Sequence, residues 1–369
     1  MYSVGRRAKT LTTLLGEVVF RRSLYVCPAY GHGVFPADRA LDVEHTGFSP
    51  GVRRMMTRAG SRTSFADAEE DLRVYARVHV HRRDIERIAE HTGRQIEGWN
   101  ATLPTQPPRG AVPPATLYVS FDGTAVPMRH GELRGRKGKQ PDGSAKGREV
   151  KVGCVFTQTT CSDEGFPVRD EDSTTYVAGI ESSSLFGERI YAEALRRGLE
   201  DARTLVVLTD GAAYNKTIAQ THFPQAVHII DLYHAREHLH ALAALPVHPP
   251  LQTPTYERWK DRLDQGAIEH LLRDASRLLP RHGPRRRDAL KEIRYFQKNT
   301  AHMRYALFRS RGFFIGSGVI EAGCRTLVGQ RLKNAGMFWS RRGAHSILQA
   351  RCSLLSHRFD HFWDDRAAA

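Results

Sequence analysis

Short apolar runs alternate with amphipathic stretches through the C-terminal two thirds of the chain. Five runs are β-prone and short enough to be strands: 117–121, 150–156, 174–180, 205–208 and 227–230. The run 205–208 is almost entirely apolar, which is typical of a strand covered on both faces of a sheet. Together these runs predict the sheet of an α/β domain.

Helical patterns fill the intervals between these strands. Residues 190–199 predict one helix, and the chain from Tyr233 to about Arg309 is mainly helical in pattern. A further helix is predicted to begin near Gly318. The last helix, over 342–356, carries an apolar stripe at helical spacing.

The N-terminal third has a different pattern. Residues 1–60 contain short, strand-like apolar runs broken by glycine and basic residues. In 61–103, Ser64 and Asp67 form a capping-box pattern that predicts a helix start, and a second helix is predicted to end near Gly93. Two helices with basic flanks fit either a DNA-reading helix-turn-helix or a structural helical pair, and the pattern leaves both open.

Five prolines in 104–115 mark a linker, and it is the clearest domain boundary in the sequence. We therefore predict a strand-rich region at 1–60, a helical region at 61–103, the linker, and an α/β domain at 116–365.

The charge of the chain bears on the kind of partner that it binds. Lys and Arg number 55 against 40 Asp and Glu, so the formal net charge of the 369-residue chain is +15. This charge favours a polyanionic partner, although a basic cytosolic protein without such a partner fits equally well. No apolar run has the length of a membrane span or a signal-peptide core, so we expect a cytoplasmic protein without membrane association. The five scattered cysteines indicate no disulfide framework.

Three carboxylates stand at positions suited to metal chemistry. Asp122 and Asp210 each follow a predicted strand and precede glycine, and Glu321 lies near the start of a predicted helix. Carboxylates are the ligands that Mg²⁺ prefers, and two such ions can support phosphoryl transfer. Singly, an Asp-Gly is more often a turn and a first-turn Glu more often a partner of the helix dipole.

Seven strings that occur in order resemble the DDE transposases of bacterial insertion sequences, over about 117–363. They are Tyr-Val-Ser-Phe-Asp122-Gly-Thr, Gly-Lys-Gln-Pro-Asp-Gly-Ser, Arg-Glu-Val-Lys-Val-Gly-Cys154-Val-Phe-Thr-Gln, Val-Leu-Thr-Asp210-Gly-Ala-Ala, Asp231-Leu-Tyr-His234-Ala-Arg-Glu-His238-Leu, Gly-Ser-Gly-Val-Ile-Glu321-Ala-Gly-Cys and Arg-Leu-Lys333-Asn-Ala-Gly-Met-Phe-Trp339-Ser.

The resemblance implies an RNase H-like mixed sheet with flanking helices and a helical insertion at about 233–310. It implies that Asp122, Asp210 and Glu321 are catalytic and bind two Mg²⁺ ions, with Mn²⁺ as a substitute. The expected partners are double-stranded DNA, as element ends and target, and further copies of the chain. The implied activity is DNA cleavage and strand transfer, that is, transposition and DNA recombination.

The string from Asp231 to His234 is similar to the Asp-x-x-His signature of Mutator-like relatives, which places His234 near the active site. An N-cap Asp and an ordinary helical His explain it equally well. His238 and His240 lie nearby in sequence, but no third soft ligand is evident, and we do not expect zinc.

Six further residues are candidate DNA contacts: Arg325, Arg331, Lys333, Trp339, Arg341 and Arg342.

Two departures from the family pattern qualify this interpretation. The N-terminal region looks like a degenerate zinc ribbon, because Cys27 and His32 cannot supply four zinc ligands. In addition, Tyr214-Asn-Lys216 stands where relatives tend to have tryptophans. The alternatives are therefore an inactive or repurposed DNA-binding remnant, and an RNase H-like nuclease without strand transfer.

Overall fold

The computed structural model describes residues 1–368, which form two compact units. The first comprises 1–103, 127–146 and the chain from Leu327 onward. The second comprises 104–126 and 147–326. The division differs from the predicted boundaries, which placed 116–365 in one domain, because two segments of that range pack with the N-terminal helices.

The first unit begins with an antiparallel hairpin and continues into helices. Its elements are β1 (Tyr2–Thr13), β2 (Gly16–Val26), β3 (Gly33–Val34), α1 (Pro36–Ala40), α2 (Pro50–Arg62), α3 (Phe65–Ala76) and α4 (Arg82–Thr102). Strands thus end at Val34, so the strand-rich region is shorter than the predicted 1–60. A helix-turn-helix is not established by this arrangement.

In this unit, a predicted helix start agrees with the structure and a predicted helix end does not. Ser64 caps α3 as predicted, since its hydroxyl accepts a hydrogen bond from Asp67 N at 3.0 Å. The predicted end of the next helix near Gly93 is wrong, because α4 continues to Thr102. Gly93 lies where another helix crosses: a Cβ built on it would be 2.0 Å from the carbonyl oxygen of Ser346. This glycine permits a close approach and does not end the helix.

The second unit contains a five-stranded mixed sheet. Its chain order is β4 (Thr116–Pro127), β5 (Gly147–Gln158), the two short strands β6 (Thr160–Cys161) and β7 (Pro167–Val168), β8 (Thr175–Gly179), α5 (Ser183–Arg196), β9 (Thr204–Thr209), α6 (Ala213–His222) and β10 (Val227–Ile230). The sheet order is β10-β9-β4-β5-β8. The β4–β9 and β9–β10 pairs are parallel and the β5–β8 pair is antiparallel. All five predicted strands are present, in an arrangement consistent with an RNase H-like fold.

One face of the sheet is covered by α5 and α6. Leu117, Val119 and Phe121 alternate along β4 and point into the same apolar cluster as Phe186 and Ile190 of α5. All five side chains are fully buried. This cluster anchors the first half of β4 and so fixes the position of Asp122, the residue after Phe121. Asp122 was predicted to follow the strand, but it lies within it, because β4 continues to Pro127.

Helices occupy the stretch between β10 and the predicted Glu321 helix. They are α7 (Leu232–Ala244), α8 (Pro249–Asp264), α9 (Ile268–Arg277), α10 (Pro284–Asn299) and α11 (Tyr305–Ser310). Trp259, Leu263, Leu271 and Phe296 are buried among them, as their spacing in the sequence indicates.

The last part of the chain starts at α12 (Gly318–Gly323), which packs against β5. A π-helical segment, Cys324–Gly329, leads to α13 (Gln330–Leu332), α14 (Arg341–Leu355) and α15 (Phe359–Ala368). Helix α14 packs along α4 in the first unit. Within residues 1–368, no helix combines the length and apolarity needed to cross a membrane.

We predict that Gly93→Ala destabilises the protein by about 1–3 kcal/mol, because the added methyl group collides with the α14 backbone. Gly98 lies in the same helix, and a Cβ there meets nothing within 4 Å. Gly98→Ala is therefore the matched control and should stabilise by about 0.5–1 kcal/mol through its helix propensity. Urea unfolding of both variants tests this, and equal effects of the two substitutions would contradict the close approach.

Candidate active site

Asp122 and Asp210 come together because their strands are parallel neighbours. Ser120 on β4 pairs with Leu208 on β9, and its hydroxyl donates to the Leu208 carbonyl oxygen at 2.7 Å. Each carboxylate stands two residues beyond this pair in its own segment. The same edge of the sheet therefore carries both carboxylates.

The electrostatics of Asp122 show that Glu321 belongs to the same cluster. Burial raises the pKa of Asp122, and the negative charges of Asp210 and Glu321 raise it further. A hydrogen bond from Gly123 N to Asp122 Oδ1, at 2.6 Å, acts in the opposite direction. The positive charge of His234 also favours the ionised form. The charges of Asp210 and Glu321 thus both act on Asp122, which places the three carboxylates in one part of the second unit.

Asp210 is held by two donors from the start of α6. Ala212 N and Asn215 Nδ2 both donate to its Oδ1 atom, at 2.8 and 2.7 Å. Asn215 is fully buried. The sequence interpretation treated Tyr214-Asn-Lys216 only as a departure from the family pattern and missed this role. An amide-bearing residue one helical turn after a strand-end Asp was the available signal.

Asp231 links the helix that follows β10 to the helix that carries Glu321. It is completely buried and caps α7, accepting from His234 N at 2.8 Å through Oδ1. Its Oδ2 atom accepts a hydrogen bond from Ser317 N. Ser317 Oγ in turn donates to Glu321 Oε1 at 2.5 Å. Burial alone raises the pKa of Asp231, but these hydrogen bonds from His234 and Ser317 lower it below its usual value.

His234 also faces the carboxylates. Hydrogen bonding to Asp231, with Nδ1 and Oδ1 3.5 Å apart, raises the pKa of His234 to about 9 despite partial burial. The imidazole is therefore mainly protonated at neutral pH. One donor atom from each of Asp231, His234 and Glu321 lies within 4.8 Å of the others. The structure thus brings both residues of the Asp-x-x-His string to the predicted triad.

The other histidines of that string point elsewhere. His238 stacks on Tyr295 with ring centroids 3.7 Å apart, and its Nδ1 lies 2.6 Å from Glu292 Oε2. His240 packs edge-on against Tyr256. Neither is among the residues that gather around His234 in a metal-ligand arrangement.

The donor set at the triad suits a hard divalent cation. Asp122, Asp210 and Glu321 offer carboxylate oxygens, and burial together with the charges of Asp210 and Glu321 raises the pKa of Asp122, a cost that a bound cation would offset. A zinc site normally uses cysteine or several histidines, and His234 is the single such ligand here among the residues grouped at this place. The residues present therefore fit Mg²⁺ better than zinc.

Glu149 adds a further carboxylate beside the triad, and the sequence analysis did not anticipate it. A Cβ on Gly123 would be 2.5 Å from Glu149 Oε1 and 2.8 Å from the Tyr214 hydroxyl, so all three residues meet next to Asp122. Lys151 Nζ lies 2.8 Å from Glu149 Oε2 and pairs with it. The position of Glu149 early in β5 carries no local sequence signal, because only strand pairing brings it to β4.

Two of the candidate DNA contacts are corrected by their burial. Arg331 has no exposed surface: its Nε donates to the Gly60 carbonyl oxygen at 2.8 Å, and its guanidinium stacks over Phe65 and Trp339. Trp339 is 6% exposed, and its indole N–H donates to the Leu332 carbonyl oxygen at 3.1 Å. Both residues build the interior of the first unit and are not available to phosphates or bases.

The remaining four candidates are exposed. Arg325 belongs to the second unit, on the π-helical segment that follows α12. The first unit contains Lys333, Arg341 and Arg342, and the backbone N–H of Arg341 donates to Glu132 Oε1 at 3.1 Å. Phe338, beside Trp339, is 55% exposed. Their role as DNA contacts stays a prediction.

Comparisons with known proteins identify no family. No family model matches the chain, and no curated protein matches it. Among solved structures, the chain is similar to one described as a Drosophila P element transposase strand transfer complex, at 10% identity and a TM-score of 0.26. The match covers 90% of this chain and 84% of that one. This superposition is too loose to carry residues from one chain to the other.

Ser317 and Asp231 are predicted to position Glu321 for metal binding. Ser317→Ala removes the hydroxyl that donates to Glu321 and should raise the Kd for Mn²⁺ by about 10-fold, up to ~100-fold. Ser317→Thr keeps the hydroxyl and should bind nearly as wild type. Asp231→Asn should weaken binding by a similar factor, whereas Asp201→Asn, on the surface, should not. Calorimetric titration measures these constants, and equal binding by the Ala and Thr variants would exclude the role of Ser317.

Arg331→Ala is predicted to destabilise the first unit by about 2–4 kcal/mol, because it leaves a cavity between two rings and an unpaired Gly60 carbonyl group. Arg325→Ala, at an exposed site, should change stability by no more than about 0.5 kcal/mol. Urea unfolding distinguishes them. An Arg331→Ala protein as stable as wild type, with reduced DNA affinity, would restore the original interpretation of this residue.

Proposed function

We propose that this protein is a DNA transposase of the DDE type that cuts and joins strands at the ends of an insertion sequence. The observation that carries the proposal is that Asp122 and Asp210 follow paired residues on adjacent parallel strands, with Glu321 close enough for its charge to act on Asp122. The formal net charge of +15 suits a DNA partner. The seven family-like sequence strings support the same activity.

In this proposal the three carboxylates would hold two Mg²⁺ ions. Such a pair would supply an activated oxygen nucleophile and would stabilise the leaving oxygen of an in-line displacement. Asn215 keeps Asp210 in its rotamer, and Ser317 orients Glu321 through a hydroxyl hydrogen bond. The protonated imidazole of His234 provides a positive hydrogen-bond donor for a DNA phosphate.

The proposed chemistry has two displacements at phosphorus. In the first, a water oxygen bonds to the phosphorus at the element end, and the 3′ oxygen leaves and takes up a proton to become a 3′-hydroxyl. In the second, that hydroxyl loses its proton and attacks a target phosphodiester, whose own 3′ oxygen leaves. Joining two ends to one target requires more than one copy of the chain, so we also propose a homo-oligomer on double-stranded DNA.

The test uses purified protein, labelled duplexes from the DNA that flanks its gene, and Mg²⁺. Wild type should nick the duplex and join it to a target, and Asp210→Ala should reduce both steps by about 100-fold or more. Asp201→Ala is the matched control, since Asp201 is exposed and lies in the same unit. Cleavage without joining would indicate a nuclease of this fold. DNA binding by wild type with no cleavage would contradict the proposal and favour a repurposed DNA-binding protein.

A further inference from the structure

A groove lies beside the triad, and no role has been assigned above to the residues that line it. It has a volume of about 1120 Å³, which is larger than a typical small-molecule pocket. Three segments of the second unit form it: the β6–β7 hairpin, the start of α7, and the extended chain 309–318 that leads into α12. Gly316 and Gly318 line it, and Ser317 between them bonds to Asp231 and Glu321. One end of the groove is therefore adjacent to the triad.

The floor of the groove is fixed by buried hydrogen bonds. Tyr118 on β4 donates to Gln158 Oε1 at 2.5 Å, and Gln158 Nε2 donates to the Gly312 carbonyl oxygen at 2.8 Å. Further along, Leu232 N donates to the Ile315 carbonyl oxygen at 2.9 Å. The chain 309–318 is thus tied to the sheet and to α7, which makes the groove a preformed feature.

Two aromatic rings stand exposed on the walls. Phe166, directly before β7, and Tyr233, in the first turn of α7, are each 62% exposed. Tyr233 packs over Gly316, where an added Cβ would be 3.0 Å from its ring, so one edge of the ring is supported. Exposed aromatic rings along a groove are what bases stack on in proteins that bind single-stranded nucleic acid.

The charged residues of the groove favour an anionic occupant. Arg236, Arg309 and Arg311 line it against a single carboxylate, that of Glu164. Arg236 is engaged by Asp264, and Arg309 Nη1 donates to the Asp264 carbonyl oxygen at 2.9 Å. The guanidinium of Arg236 also lies 5.8 Å from the centre of the Tyr233 ring. Arg311 is exposed at the start of the floor segment.

From these observations we infer that the groove binds unpaired nucleotides of a DNA strand whose scissile phosphate lies at the triad. Bases stack on Phe166 and Tyr233, and phosphates contact Arg309 and Arg311. The inference rests on the proposed function and adds a substrate feature to it: the strand is locally single-stranded beside the cut. It also gives the protein aromatic stacking residues in place of the buried Trp339.

Binding of a short fluorescent oligothymidine, measured by anisotropy without divalent cations, tests the stacking. Phe166→Leu and Tyr233→Leu keep apolar bulk but lose the ring, and each should weaken binding roughly 5- to 150-fold. Phe166→Trp keeps a ring and should bind within about 2-fold of wild type. Leu251→Ala, an exposed apolar change on α8, is the control and should have no effect. A Leu variant that binds as tightly as Phe166→Trp would overturn the inference.

The phosphate contact is tested by salt dependence. Arg311→Gln should lower the slope of log affinity against log salt by about 0.7, as expected when one phosphate contact to a single strand is lost. Arg277→Gln, on an exposed position of α9 outside the groove, is the matched control and should leave the slope unchanged. If polyglutamate displaces the oligothymidine at equal charge concentration from wild type and from the Leu variants alike, the groove recognises acidic protein segments and the inference fails.

Failure of this inference is separable from failure of the proposed function. If cleavage depends on Asp210 and the Leu variants bind oligothymidine as tightly as wild type, the groove inference is refuted and the transposase proposal stands. If the Leu variants lose oligothymidine binding but wild type does not cleave DNA, the groove is a binding site for single-stranded DNA and the catalytic proposal is refuted.

Discussion

The parallel pairing of β4 with β9 is the constraint on which the candidate site depends. The parallel register pairs Ser120 with Leu208, which are 88 residues apart in the chain. Asp122 and Asp210 each follow this pair by two residues, so both leave the paired region at the same end. The alternating apolar residues of β4 bury one face of the strand under α5 and α6 and fix its register, since a slip by one residue would turn Phe121 outward and Asp122 into the core.

The third carboxylate, that of Glu321, is positioned by hydrogen bonds through Ser317 and Asp231. Asp231 follows β10, the strand beside β9. Its buried carboxylate accepts hydrogen bonds both from His234 N in the first turn of α7 and from Ser317 N. A buried carboxylate is costly unless its oxygens are satisfied, and here both are. Asp231 therefore joins the first helix of the long insertion to the segment that precedes Glu321.

The fate of the basic residues shows why charge in a sequence does not identify a binding surface. Arg331 and Lys333 stand two residues apart, yet one is fully buried between Phe65 and Trp339 and the other is exposed. Arg331 lies within α13, whereas Lys333 is the residue at which that helix has ended, so the two cations face different environments. In contrast, Phe166 lies in none of the family-like strings, and Tyr233 lies in one without being singled out by it. Both became candidates only when the fold placed them on one groove with three arginines.

The sequence alone determined the elements with strong local signals. The five strands, the cap at Ser64, the helical character of the insertion and the position of Asp210 after its strand all follow from apolar period and from short-range polar patterns. Tertiary structure decided whatever depends on contacts distant in sequence. It set the course of α4 past Gly93, the return of α14 to α4, and the approach of Glu149, Asn215 and Ser317 to the triad. The physical reason is range: hydrogen bonds within a turn are fixed by neighbours, whereas burial and convergence depend on which elements pack together.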